Sequence, residues 1–546
     1  MRPSISVFCT LATALIAKDC FAHDHSLSAF QKTRAVAQAK AAAAAEGPTE
    51  AKPDQATCQL TIQLIDAGSR KSLPGLVRIT RADSGKALPL VGQIAREANW
   101  YAVPEQPVVT VPQTTLRIEA VHGLETELCR REIDVTGKSE DSITLPLPRF
   151  YDAAERGLRS GNTHLHLMNL TYAEADRYLR VVPKADALDL VYLSYLRRVP
   201  DERNYISNEI VANSFAGGDL ARLSQSGVLF ANGQEHRHNF GRGSEGYGHV
   251  MFLDILKLIQ PVSIGPGIMH EGTDGIPLQR GIREARSDGA AVIWCHNTFG
   301  YEDLPNWMAG LLDAQNIFDG GLHGSYQDTY YRYLNLGLKV PFSTGTDWFI
   351  YDFSRVYVPI AGPLTSKKWL TALAAGKSCI TNGPFLELQA SGHQVGDTVA
   401  LSQAGSLEIT ARGIGRHDFR ALELVHNGDV IRTSGSRPVE GHFAAEMRLT
   451  LDVGEPGWIA LRIPLEAGKN EFDKPLYAHT SPIDVELGGQ RVFRPQVAEQ
   501  LIAEMQNNME AITAAGKFAN DDEREAVLMV HREGIAVLRR RLESGR

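Results

Sequence analysis

The chain has 546 residues, is 43% hydrophobic and carries a formal net charge of −8. That length calls for several domains at about 150 residues each and leaves ample apolar material for packed cores. The mild negative charge, without a long basic run, argues against a nucleic-acid partner, and nothing beyond roughly the first 20 residues is apolar for long enough to cross a bilayer, so no stable membrane insertion is expected.

Residues 1–22 read as a cleavable secretory signal. Arg2 supplies the positive region, residues 5–17 are apolar but too short to span a membrane, and Cys20-Phe21-Ala22 ends on a small residue. Lys18 and Asp19 ahead of Cys20 argue against a lipoprotein site. The expected location is therefore periplasmic or secreted. Residues 23–54 form a linker, with alanines at 41–45 and then Gly47, Pro48 and Pro53, and few large apolar side chains to bury. Once the signal is removed, Cys58, Cys129, Cys295 and Cys379 remain. In an oxidising compartment Cys58 and Cys129 either bridge or stay as buried thiols, and spacing does not decide between the two.

Residues 55–150 have strand periodicity. Leu60, Ile62 and Leu64 alternate with polar neighbours, as do Leu116, Ile118 and Ala120, and Gly and Pro punctuate the runs as in a small β-sandwich. From 151 to 384 the pattern changes to short apolar strands alternating with helices. Strands are expected at 189–193, 227–230, 290–294 and 340–343, and a helix at 278–288. Repeated βα units of this kind predict an α/β fold with a parallel barrel or doubly wound sheet. Residues 385–490 return to β, with a turn at Asn427-Gly428. Residues 491–546 form a helical tail: Val497, Leu501, Met505 and Ile512 fall on one face, and Asn520 or Asp521 caps a second helix.

The chemistry-bearing residues lie in the βα segment. His164 and His166 are two apart on a predicted strand, so both imidazoles leave one face, and neutral imidazole is the commonest protein ligand for a transition metal. Glu235, His249, His296 and Asp347 recur at strand-like ends, with Arg237 two residues beyond Glu235. Each alone has an ordinary alternative as a cap, a turn residue or a solvated charge. Together, four imidazoles and two carboxylates suit a pair of divalent ions such as zinc, manganese or iron, provided the fold brings them together.

These residues carry a resemblance. The stretches Gly161-Asn162-Thr163-His164-Leu165-His166, Gly233-Gln234-Glu235, Gly248-His249, His296-Asn297 and Gly345-Thr346-Asp347-Trp348 resemble the polymerase and histidinol phosphatase (PHP) superfamily, as does the block Ala375-Gly376-Lys377-Ser378-Cys379-Ile380-Thr381-Asn382-Gly383-Pro384. Within it the chain is similar to the carbaryl-hydrolase-like metallohydrolases, over roughly residues 60–485. The resemblance implies a PHP-type distorted (β/α) TIM-like barrel flanked by two β-sandwich-like domains. It also implies that His164, His166, Glu235 and Asp347 hold one ion, and that Glu235 bridges to a second held by His249 and His296. The ligands of a third ion found in the superfamily are replaced here, in Asn169-Leu170-Thr171, Leu193-Ser194-Tyr195 and Trp348-Phe349.

The expected activity is hydrolysis of an ester, carbamate, amide or phosphoester in a small-molecule substrate by a metal-activated hydroxide. Asp347 would pass the proton. Arg237 would either bind a substrate anion or form a supporting salt bridge, and His323 would either line the pocket mouth or be a loop histidine with no role. His236 and His238 point to the opposite strand face and are read as structural. Gly241, Gly243, Gly246 and Gly248 suggest a flap. The alternative from another class is a binding protein that keeps metal without catalysis and recognises carbohydrate or another small ligand.

Overall fold

The computed structural model describes residues 56–198, 204–240, 246–297, 300–322, 324–465 and 467–545. The signal and linker readings (1–54), His323, Gly241 and Gly243 fall outside these residues. The protein is a mixed α/β structure, mostly strands, built on a curled half-barrel sheet with a helical C-terminal end.

The N-terminal strands obey their alternation. In Thr57–Asp66, Leu60, Ile62 and Leu64 are fully buried, and the strand pairs antiparallel with Val108–Pro112 and parallel with Glu140–Leu147. A second sheet carries Gly75–Arg81 between Tyr101–Val103 and Thr115–Val121. Both sheets share one core, in which Cys58 and Cys129 are buried, unbridged thiols.

The central sheet runs in the order Phe342–Ser343, Ala314–Asn316, Ala291–Trp294, Gly248–Leu253, Leu229–His238, Leu190–Tyr195, Leu158–Asn162. All neighbours are parallel except Gly248–Leu253, which runs against both of its partners. The expected strands at 189–193, 227–230, 290–294 and 340–343 are all present, with shifted ends. A separate two-stranded parallel ladder, Leu165–His166 on Asp347–Trp348, is formed by residues that follow Leu158–Asn162 and Phe342–Ser343 in the chain. The sheet does not stop at residue 384: Arg355–Pro359 and Cys379–Thr381 continue it into Ala478–Thr480, Gly457–Arg462, Ala421–His426 and Asp429–Gly435. The last pair turns at Asn427 and Gly428, both at positive φ.

Helices cover the outside of the arc. Tyr172–Ala185 starts at a capping box, in which Thr171 Oγ1 accepts from Glu174 N and Glu174 Oε2 accepts from Thr171 N. Ser366–Ala374 drives Trp369 against Gly161, where a β-carbon would lie 2.4 Å from the indole, so only glycine lets this helix approach the strand. The C-terminal helices Pro495–Ala515 and Asp521–Ser544 pack on each other and on Asp303–Met308, and Asn520 caps the second by accepting from Glu523 N. No helix of the described residues is long and apolar enough to cross a membrane.

One buried ion pair ties the N-terminal sheets to the arc. Arg96 donates to both oxygens of Asp186, at 2.8 and 2.9 Å, and both side chains are almost fully buried. Asp186 follows the helix Tyr172–Ala185, and its carbonyl accepts from Arg355 at 2.7 Å. Removing one partner strands a charge in a dry site, which costs about 3–5 kcal/mol. Arg96→Ala is therefore expected to lower the thermal midpoint by several degrees, whereas the apolar double replacement Arg96→Met with Asp186→Leu recovers much of the loss; differential scanning calorimetry checks both.

Candidate metal centre

The strand Leu229–His238 sets the geometry of the site. Side chains alternate faces along it, so Glu235 and Arg237 point into the arc. Gln234, His236 and His238 point away, to Ile259 O (2.9 Å), Val262 O (3.1 Å) and Asp274 Oδ1 (2.7 Å). On the antiparallel neighbour, His249 is the register partner of Arg237 and so shares its face. His164 precedes the ladder strand that carries His166, and Asp347 lies opposite Leu165 in that ladder. Gly345 makes the approach possible: a β-carbon there would lie 2.6 Å from His164 Cβ and 2.7 Å from His164 N. His296 leaves the end of Ala291–Trp294 at φ 55°, and Asp347 adopts φ 56°. Left-handed backbone at two non-glycine site residues is strain of the kind held by functional sites.

The six residues singled out from sequence converge. One set comprises His164, His166, Glu235 and Asp347, and another comprises Glu235, His249 and His296; within each set the donor atoms lie within 4.8 Å of one another, and all are buried. Glu235 is common to both, with its oxygens divided. Oε2 lies 3.1 Å from His166 Nε2 and 3.9 Å from His164 Nε2, while Oε1 lies 3.1 Å from His249 Nδ1 and 3.8 Å from His296 Nε2. Asp347 Oδ1 completes the first set at 3.3 Å from His164 Nε2 and accepts no hydrogen bond among the described residues.

The outer partners fix which ring nitrogen is available. His166 Nδ1–H donates to Ser194 O at 3.0 Å, and His249 Nε2–H donates to Asn239 Oδ1 at 2.9 Å. His164 Nδ1–H and His296 Nδ1–H donate to the two oxygens of Asp319, at 2.8 and 2.9 Å. A carbonyl, amide or carboxylate oxygen only accepts, so in the neutral rings the nitrogens left facing Glu235 and Asp347 present lone pairs. His164 Nε2 and His166 Nε2 stand 3.0 Å apart beside two carboxylates, two acceptors facing each other when both rings are neutral. A divalent cation between them satisfies every one of these atoms, and imidazole nitrogen with carboxylate oxygen is the donor set that zinc, manganese and iron accept.

Asp319 has no place among the residues anticipated from sequence. It follows the strand Ala314–Asn316, is held by Asn316 Nδ2 at 3.1 Å and by His296 N–H at 3.1 Å, and links one histidine of each set. Its position just beyond a central strand is the only local sign it offers. His270 is exposed, and Asp274 is buried outside the clusters.

Electrostatics within the site reflect crowding of negative charge. Burial opposes ionisation of Glu235, but Arg237 and the hydrogen bonds of His166, His249 and His296 hold its carboxyl well below the ordinary range. Burial likewise opposes the charge on Asp319, and His296 and His164 overcome it. Asp347 is raised, first by burial and then by Glu235 against the pull of His164 and His296. Burial disfavours the charged form of His296 and His164, yet the surrounding carboxylates, Asp319 foremost for His296 and Asp347 for His164, raise both. His249 is depressed by burial and by Arg237. Arg237 is itself 8% exposed; its guanidinium lies 3.4 Å from Glu235 Oε2, and its Nε donates to nothing among the described residues. Trp348 packs 5.2 Å from the His166 ring and 5.9 Å from Tyr205, forming with Met168 and Leu196 an apolar wall beside the first set.

No family model and no curated protein among those compared matches the chain. The assignment of a metal centre therefore rests on the geometry.

Because Asp319 orients one ligand of each set, Asp319→Asn is expected to weaken divalent-ion affinity about 10- to 100-fold without unfolding the protein, as read by competition with a chromogenic chelator. Protons and cations compete for His164 and His296. Their raised pKa keeps protons on both rings to higher pH, so ion binding releases protons and its apparent affinity rises with pH. Calorimetry of Zn²⁺ binding in buffers of different ionisation enthalpy measures that release; a pH-independent affinity would contradict it.

Proposed function

We propose that the protein is an exported metal-dependent hydrolase with a binuclear centre. The observation that carries this reading is the divided carboxylate of Glu235, each oxygen serving its own group of imidazoles. One ion would be held by His164, His166, Glu235 and Asp347, and a second by Glu235, His249 and His296. Such ions, when bound, would supply Lewis acidity and lower the pKa of a coordinated water toward about 7. The curled sheet, with the His166 ladder beside it, is read as the distorted barrel of the PHP superfamily, and the two-sheet N-terminal region as one of its flanking sandwiches.

The protein side chains have definable tasks in such a reaction. Asp347 Oδ1, lacking a hydrogen bond and pushed toward the protonated form by its buried surroundings, is suited to take a proton and return it to a leaving group. Arg237 places a cation next to Glu235 on the same strand face, where it orients an electron-rich group of the substrate. Trp348, Tyr205, Met168 and Leu196 exclude water on the side of His166 and offer an apolar group a surface. The secretory signal read at residues 1–22 supports a periplasmic or secreted location.

The test is turnover of nitrophenyl acetate, a nitrophenyl carbamate and nitrophenyl phosphate, before and after chelation. Turnover that vanishes with chelator and returns with Zn²⁺ or Mn²⁺ is expected, and Asp347→Ala is expected to remove at least about 10²-fold of it, the lower range for a lost proton-transfer group. Ion uptake without turnover on any of the three would instead support a binding protein, and near-normal rates in Asp347→Ala would displace that residue from its role.

A further inference from the structure

The C-terminal helices lie outside the arc, yet their connecting turn reaches the metal centre through one buried carboxylate. Asp274 is 1% exposed, and four of its polar atoms are engaged. Its Oδ2 accepts from Lys517 N–H at 2.7 Å, and its own N–H donates to Lys517 O at 2.8 Å. Oδ1 accepts from His238 Nε2–H at 2.7 Å, and its backbone carbonyl accepts from Tyr247 OH. Lys517 lies in the turn between Pro495–Ala515 and Asp521–Ser544. His238 and Tyr247 flank the hairpin that presents Glu235, Arg237 and His249.

The far side of this junction is closely packed. Tyr247 N–H donates to His238 Nδ1 at 3.0 Å, which leaves the His238 proton on Nε2, aimed at Asp274. The two rings stack with centroids 3.8 Å apart and 10° between planes. Asn239, the next residue after His238, accepts from His249 Nε2–H. The second tail helix adds a parallel route: His531 Nε2–H donates to Tyr301 O at 2.9 Å, and Tyr301 N–H donates to Gly246 O at 2.9 Å. Both routes end on residues 246–247, immediately ahead of His249. Neither touches His164, His166 or Asp347.

We propose that the C-terminal helical hairpin is a positioning element for the His249 half of the metal centre, acting through Asp274 as a positioning residue that joins the Lys517 turn to His238 and Tyr247. The proposal rests on the metal reading of the site but not on hydrolysis. Charge-assisted hydrogen bonds to Asp274 on both sides make the junction stiff, and an asparagine there can accept from only one of its two side-chain partners.

The test uses two variants of the full chain. Asp274→Asn disrupts the junction at its centre. Lys517→Pro removes the tail's N–H together with the lysine side chain and keeps the carbonyl that Asp274 N–H reaches, and Gly516, at φ −70° and ψ 144°, already has the extended backbone that a following proline requires. Hydrogen–deuterium exchange on the chelated protein should show residues 246–251 exchanging about tenfold faster, the effect of losing one buried hydrogen bond, with residues 158–166 unchanged. Zn²⁺ titration should show the binding step that disappears in His249→Ala weakened about 10- to 100-fold, and the remaining step unmoved. Uniformly faster exchange, or equal loss of both binding steps, would make the tail a general tether and overturn the proposal, as would unchanged behaviour in both variants. A wild-type protein that takes up no Zn²⁺ overturns the metal reading and this proposal with it, whereas uptake without a selective change overturns the proposal alone.

Discussion

The structure around the site depends on how one buried carboxylate is satisfied. Glu235 lies in the middle of the curled sheet, almost fully enclosed, with imidazoles at both oxygens and a guanidinium beside one of them. An ionised carboxylate in such a place is tolerable only if it is paired from all sides. The surrounding fold supplies that pairing. The reversed strand Gly248–Leu253 exists where His249 is needed, the strand end after Trp294 turns left-handed to bring in His296, and the ladder at the seam brings in His166 and Asp347.

The orientation of the imidazoles follows from groups one layer further out. Each of the four rings has one nitrogen occupied by an acceptor outside the cluster, which fixes the tautomer and turns the other nitrogen inward. Asp319 does this for two rings at once, one from each group of ligands. Hydrogen bonds of this outer kind commonly set ligand basicity and ring orientation in metal sites, and here they also account for how a dense knot of acceptors stays ordered in the protein interior.

Much of this was legible in the sequence, for definite reasons. The alternation of Leu60, Ile62 and Leu64 specifies a half-buried strand, and Asn520 ahead of an acidic turn specifies a helix start. The spacing of His164 and His166 puts two imidazoles near one face, and the structure gathers them with Glu235 and Asp347. Other features have no local signature. The reversed direction of Gly248–Leu253 is hidden because that strand is buried on both faces and so does not alternate. Asp319 acts on partners 155 and 23 residues away, and an isolated aspartate before glycines looks like any turn residue. The continuation of the central sheet past residue 384 is a matter of strand pairing between distant segments, and the grip of Lys517 on Asp274 includes a backbone carbonyl and N–H that every residue but proline carries.

The seam of the curled sheet carries one more implication. Only two residue pairs form the ladder between the segments that follow Leu158–Asn162 and Phe342–Ser343, a modest bond for an arc of this size. Yet His164 and His166 belong to one lip of that seam and Asp347 to the other, and all three face the same spot. An ion seated there would act as a rivet across the gap, adding strength where the backbone provides least. Its loss would loosen the sheet at its weakest join, so resistance to heat and proteases would track ion supply by simple mass action.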